Sequence, residues 1–367
     1  MKPTMLEDLG YDEFFAMKRS ELPLKEFSVA RVISEHKGAY TVKNIESEYL
    51  ATVTGKQIYD ATNREDYPAV GDWVAITPLP LGKAVIQGIL PRRTMMKRKQ
   101  SGSNHVQIIA TNIDVAFVIE SFDRDYNLNR FERYFAIARD GGIQPAILLN
   151  KTDLVSREEL DMKIAEIKER FGDVDVIPVS TVAGEGLTAL HAYLIKGKTY
   201  CFLGSSGVGK SSIINSLLGE SRIKVGSIGT HALRGKHTTT ARMMYFLASG
   251  GIVIDNPGVR EVGMTDTNAG VEDVFNEITA MAAKCKFINC SHTQEPSCEL
   301  LRAVSSGELD RDTYENYMRL KKEAEFFEMS ELEKKAKNRE FGKSLKKAKD
   351  GLKRSGHKKY REIETEI

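Results

Sequence analysis

Between Ser28 and about Met96 the apolar residues come in short β-prone runs, at 29–33, 39–42, 49–53, 73–76 and 84–86, broken by Gly, Pro and polar clusters. Several short strands at this spacing predict a small closed barrel, and the pattern alone does not separate an SH3-like barrel from other kinds. From about Val106 the rhythm changes. Apolar strands at 115–119, 146–149, 176–179, 200–203 and 252–254 alternate with helix-like segments such as 157–171 and 211–218. That alternation predicts a mostly parallel sheet covered by helices. After about Thr267 helical patterns surround a group of Cys and His residues, and a highly charged, helix-forming tail begins near Met318. Residues 1–27, with Leu6, Leu9, Phe14, Phe15 and Met17 at mixed spacing, form a short helical lead to which no chemistry is assigned.

A chain of 367 residues with 41% hydrophobic and 28% charged residues suits a globular protein of two or three domains. No apolar run approaches bilayer-spanning length and the first residues lack the apolar core of a signal peptide, so a cytoplasmic protein without a membrane role is expected. The net charge is only +2, but between Arg339 and Arg361 ten Lys/Arg face two acidic residues. Such a run suits contact with phosphate, or a solvated face.

Three of the four cysteines crowd around one histidine. Cys285, Cys290, His292 and Cys298 form C-x4-C-x-H-x5-C, four N/S ligands within fourteen residues. Four such ligands close the tetrahedral shell of Zn2+ and leave no position for a substrate water, which predicts a structural zinc and argues against a zinc hydrolase. Cys201 stands apart and reads as a core residue of a strand.

That strand runs into Gly204, Ser205, Ser206, Gly207, Val208, Gly209, Lys210 and Ser211, which match the phosphate-binding loop G-x-x-x-x-G-K-[ST]; Ser212 continues into the helix. The glycines let consecutive N–H groups point at a β-phosphate, Lys210 neutralises β/γ charge and Ser211 offers a hydroxyl to Mg2+. Asp255, with Asn256, Pro257 and Gly258, follows an apolar strand, where an acid suits the Mg2+ shell and the Gly258 N–H a γ-phosphate; taken alone it is also an ordinary turn. The polar stretch 221–240 between the two has the length of a switch loop, and Thr239, flanked by Thr238 and Thr240, is the first choice for closing on Mg2+ and the γ-phosphate. Asn150, Lys151 and Asp153 form the N-K-x-D that reads guanine: the carboxylate accepts from N1–H and the 2-amino group, donors that adenine lacks. Ser180, in the loop 180–186, backs the guanine O6. The guanine reader precedes the phosphate loop, the reverse of the usual order, so the GTPase sequence is circularly permuted.

With these motifs in this order, followed by the Cys/His cluster, the chain resembles the RsgA family (YjeQ/YloQ) of ribosome small-subunit-dependent GTPases over roughly residues 28–320. The resemblance includes Gly71-Asp72-Trp73 in the barrel, Arg234–Thr240 in the switch, and Glu295-Pro296-Ser297-Cys298. It implies an N-terminal OB-fold, a central permuted GTPase domain and a C-terminal zinc domain, and GTP hydrolysis stimulated when the protein docks on the small subunit late in assembly. The corresponding boundaries are 1–27 for an N-terminal extension, 28–101 for the barrel, 102–267 for the GTPase domain, 268–318 for the zinc domain and 319–367 for a basic helical tail. One departure is Asn256, where the family commonly has Thr.

Many GTPases orient the attacking water with a Gln after Asp-x-x-Gly, but Val259 and Arg260 stand there, so slow hydrolysis by the free protein is expected. His237 is the candidate catalytic group that the resemblance favours. The basic stretch with Arg92, Arg93, Lys97, Arg98 and Lys99, and Lys346, Lys347, Lys353 and Arg354 in the tail, are candidate rRNA contacts. The expected partners of this monomer are the small ribosomal subunit, its rRNA and guanine nucleotides. The competing reading is an RNA-binding assembly scaffold that holds nucleotide only as a structural ligand. Because the chain leaves the GTPase domain soon after Asp255, the zinc domain is expected to hang from the segment that senses the γ-phosphate.

Overall fold

The computed structural model describes residues 5–36, 38–99, 106–123, 126–219, 242–255 and 269–329, with residues 333 and 339. The chain opens with α1 (Glu13–Ser20), started by Asp12, whose side chain accepts from the Phe15 N–H. The five apolar runs that follow become β1 (Ser28–His36), β2 (Ala39–Lys43), β3 (Glu48–Val53), β4 (Trp73–Leu79) and β5 (Lys83–Ile89), with α2 (Gly55–Asp60) between β3 and β4. They close in the order β1-β2-β3-β5-β4-β1, with β3 and β5 parallel and the other pairs antiparallel. This is a five-stranded barrel of OB type. Alternate residues, among them Val32, Val42, Ala51, Ile76 and Ile86, fill its interior, as a period of two requires.

The N-terminal lead is part of this structure. Leu9 and Phe15 are buried with Trp73 and Leu90 on the outside of the barrel. Arg31, fully buried on β1, donates to the carbonyls of Leu9 (2.5 Å), Gly71 (3.3 Å) and Asn112 (3.1 Å) and to Thr199 Oγ1 (2.9 Å), joining the lead, the barrel and the next domain.

β6 (Met95–Lys99) leaves the barrel and pairs antiparallel with β7 (Val106–Thr111), so one hairpin straddles the boundary expected near residue 101. The α/β unit then runs β8 (Val115–Ser121), α3 (Leu128–Asp140), β9 (Gln144–Asn150), α4 (Arg157–Phe171), β10 (Val176–Val179), α5 (Leu187–Tyr193), β11 (Thr199–Leu203), α6 (Lys210–Leu218), β12 (Met243–Phe246) and β13 (Ile252–Asp255). The sheet order is β10-β9-β8-β11-β13-β12, parallel except for the edge strand β12. β8, buried along its whole length, sends Phe117 and Ile119 to one face and Ala116 and Val118 to the other, the double burial expected of a central parallel strand. A single pairing, Ser34 with Met243, carries the sheet on into the barrel.

Among the described residues four C-terminal helices follow, α7 (Ala269–Val274), α8 (Asn276–Ala282), α9 (Glu299–Ser306) and α10 (Arg311–Glu328). Their apolar residues share one core with α3, and α7 lies so close that a Cβ on Gly270 would sit 2.1 Å from the Ala136 carbonyl oxygen. Buried Glu132 of α3 accepts from Arg170 Nε at 2.8 Å and from the Asn316 amide on α10, tying three helices together. α10 continues past residue 319, with Leu320 and Ala324 fully buried, so the helix passes through the boundary drawn there from charge.

Candidate functional site

The parallel strands β8, β9, β10, β11 and β13 all end on one rim, where ligands of open α/β sheets bind. Residues 204–209 turn from β11 into α6 with Gly204, Gly207 and Gly209 at φ 147°, 87° and 100°. Two of these positions also lack room: a Cβ on Gly209 would lie 2.1 Å from Asn150 Nδ2, and one on Gly204 would lie 2.5 Å from the Ile119 oxygen. Lys210, first in the helix, curls back to donate to the oxygens of Gly204 (2.5 Å) and Ser205 (2.6 Å). The N–H groups at the start of α6 and the Lys210 ammonium make this an anion site.

The N-K-x-D residues reach that loop from β9. Asn150, the last residue of the strand, is buried and donates from Nδ2 to the Val208 oxygen at 2.7 Å, while its Oδ1 has no partner. Lys151 adopts the left-handed conformation (φ 61°) and bonds the Gly207 oxygen at 2.9 Å and Asp123 Oδ2 at 2.5 Å. Asp153 accepts from the Ser180 hydroxyl, whose oxygen accepts the Ala183 N–H at 3.0 Å. Thus motifs read separately along the chain meet in space: Asn150, Lys151, Asp153, Ser180 and the phosphate loop line one rim. An unpartnered buried acceptor and a carboxylate at its edge suit a ligand that donates hydrogen bonds, as a guanine edge does.

Asp255 closes β13 beside Lys210. Burial raises its carboxyl above the usual range and Lys210 works against that rise. Ser211, second in α6, follows Lys210. Ser211 and Asp255 are an oxygen pair of the kind that Mg2+ takes with phosphate. Gly258, His237 and Thr239 lie outside the described residues. Two contributors belong to none of the motifs, Asp123 on Lys151 and Tyr134, which hydrogen-bonds with the Ser205 side chain. The position of Asp123 just past an apolar strand is the one trace it leaves in the sequence.

A second centre lies between α8 and α9. The ligand atoms of Cys285, Cys290, His292 and Cys298 all fall within 4.8 Å of one another. Cys285 Sγ is 3.9 Å from Cys298 Sγ and 3.5 Å from His292 Nδ1, which is 3.6 Å from Cys298 Sγ. A tetrahedral zinc with ordinary Zn–S bonds needs sulfurs about 3.8 Å apart. The four side chains therefore fit a metal ion. Burial, then Lys321, hold the His292 imidazole below its ordinary pKa, favouring the neutral, ligating form. Glu295 accepts from the N–H groups of Ser291 (2.8 Å), Thr293 (3.1 Å) and Gln294 (3.2 Å), bracing the turn between ligands, and Tyr314 donates to the His292 oxygen at 2.6 Å.

Several side chains of the basic stretch have partners within the protein. Arg92 donates two hydrogen bonds to the carboxylate of buried Asp72, at 2.8 and 2.7 Å, and also donates to the carbonyl oxygens of Glu65 and Tyr67. Arg93 pairs with Asp12 and Asp114, and Lys97 with Glu65. Arg92 is thus a brace of the barrel, because Asp72, twenty positions away, offers it a buried carboxylate. Arg98 bonds Gln107 across the hairpin at 3.3 Å. The side chain of Lys99, and Lys346, Lys347, Lys353 and Arg354, lie outside the described residues.

Among the described residues no helix is long and apolar enough to cross a membrane. Residues 89–265 match the RsgA GTPase family. A small ribosomal subunit biogenesis GTPase RsgA from Opitutus terrae is 38% identical, over 87% of this chain and 89% of that protein. One of the same name from Methanosarcina acetivorans is 41% identical, over 82% and 77%. Among solved structures, YjeQ from Thermotoga maritima superposes with a TM-score of 0.60 at 26% identity, over 81% of this chain and 98% of that one. The structure of YloQ, a circularly permuted GTPase, gives 0.58 at 22% identity, over 82% and 96%, and speaks for the fold.

Proposed function

The chain belongs to the RsgA GTPase family, and from that premise we propose that it hydrolyses GTP to GDP and phosphate on the small ribosomal subunit, late in its maturation. The observation that carries this reading is the pair of bonds from Asn150 to Val208 and from Lys151 to Gly207, which make base reader and phosphate loop one surface. Asp153 selects guanine through its N1–H and 2-amino donors. Lys210 turns from the loop carbonyls to the β- and γ-phosphates, and the N–H groups at the start of α6 hold the β-phosphate.

Ser211 and Asp255, with Thr239, would hold Mg2+, which when bound neutralises charge across the β- and γ-phosphates. Water then attacks the γ-phosphate in line. With Val259 and Arg260 after Gly258, the group that orients this water comes from elsewhere, and His237, positioned by docking, is the proposed one. The three thiolates and His292 would hold one zinc, a staple for a region with little core of its own. Arg98, Lys99 and the basic tail are the proposed rRNA contacts of a cytoplasmic monomer.

The scaffold reading is not favoured, since the relatives are named as GTPases throughout. GTP turnover with and without purified small subunits tests the proposal. Strong stimulation is expected; turnover that is absent, or indifferent to subunits, overturns it.

A further inference from the structure

A carboxylate that none of these roles uses sits beside the phosphate loop. Glu120, near the end of β8, is 1% exposed, and its Oε1 has no hydrogen-bond partner. Its other oxygen accepts a long bond, 3.2 Å, from Arg130 Nη1 on α3. Lys210 is near enough to act on it electrostatically. From α3 comes also Tyr134, bonded to Ser205 of the loop, and from the segment before that helix Tyr126, whose buried hydroxyl has no partner; both phenols feel the Glu120 charge. Asp255 on β13 is another carboxylate that Lys210 acts on.

A site for phosphates should be poor in negative charge. Here one of the two cations near Glu120 is the lysine that the phosphates need. Phosphates arriving on Lys210 would bring several negative charges toward a buried carboxylate already short of hydrogen bonds. We propose that Glu120 is a positioning residue that competes with the nucleotide phosphates for Lys210, so that its ionised form loosens guanine nucleotide binding and favours release of GDP. The proposal rests on the nucleotide reading of this loop given above.

Burial raises the Glu120 carboxyl to about 7, with Arg130 and Lys210 opposing the rise. Bound phosphates raise it further, so binding takes up a proton. Affinity therefore falls as pH climbs through about 7, where the free protein loses that proton. Glu120→Gln has no proton to lose and escapes this fall, whereas a residue that merely packs would give a pH-independent effect.

The test is the affinity and release rate of Mg2+–GDP for the full chain, wild type and Glu120→Gln, at about pH 6 and about pH 8. At the higher pH the variant is expected to bind GDP about fivefold more tightly and release it more slowly; at the lower pH the two should agree within about twofold. Arg130→Gln, which removes a cation that keeps the carboxylate ionised, is expected to move the fall in wild-type affinity to higher pH. Equal affinities at the higher pH, or weaker binding by Glu120→Gln at both, overturn the proposal and leave the nucleotide site standing. If Glu120→Gln does not fold, an unshifted pH profile in Arg130→Gln overturns it. A wild type that binds no GDP at either pH overturns this proposal and the nucleotide reading together.

Discussion

Lys151 Nζ lies 2.9 Å from the carbonyl oxygen of Gly207, joining the guanine reader to the phosphate loop across 56 positions of sequence. The guanine reader precedes the phosphate loop in the chain, yet the two are bonded to each other. The sheet sets both strand ends on one rim, whichever comes first in the chain.

Base selection follows from the other end of the same motif. Asp153→Asn replaces an acceptor by an amide that suits a 2-oxo group, so preference should turn from guanine toward xanthine nucleotides, with GTP affinity reduced by about a hundredfold or more. Competition of GDP and XDP for the variant reads this directly. An Asp153→Asn protein with unchanged preference for GDP would remove Asp153 from base recognition.

Gly209→Ala tests the contact between loop and reader. The added Cβ meets Asn150 Nδ2 at 2.1 Å, in a backbone conformation (φ 100°) that L residues avoid. GDP and GTP affinities should both fall, by about fivefold to about a hundredfold, for a backbone strain of about 1–3 kcal/mol. Equilibrium binding with a fluorescent guanine nucleotide measures it, and binding unchanged from wild type would mean that the loop rearranges on loading.

At the Cys/His centre, metal analysis of protein purified without chelator should find one zinc per chain. Cys290→Ser should lower that stoichiometry and the temperature at which the C-terminal helices unfold, with GDP affinity within about twofold of wild type. Zinc-free wild-type protein with an unaltered melting profile would refute a structural metal.

His237→Ala should abolish the subunit-stimulated turnover, an effect that could reach about a thousandfold, while leaving GTP binding nearly intact. Single-turnover rates with subunits in excess separate binding from chemistry. A stimulated rate equal to that of wild type would move the catalytic role to another group.

Much of this architecture was legible in the sequence because its signals are local. The five barrel strands announce themselves as β-branched runs, and the nucleotide motifs as glycines and polar residues at the ends of apolar strands. What stayed hidden depends on partners far away in sequence. Arg92 reads as one of a basic run until Asp72 is found folded under it. Leu9 and Phe15 show no period in so short a lead, yet Trp73 covers both. The C-terminal helices follow β13 in the chain, but α3 is what they pack on, through a close approach at Gly270 that a lone glycine does not advertise. Glu120 follows five apolar residues in its strand, and only its neighbours reveal that it adjoins a phosphate lysine.

Arg31 fixes a length as well as a joint. One guanidinium holds oxygens from the N-terminal lead, the barrel, the turn after β7 and the first residue of β11, so the barrel cannot rotate on the nucleotide domain without stranding several buried acceptors at once. The two halves therefore work as the jaws of a set calliper.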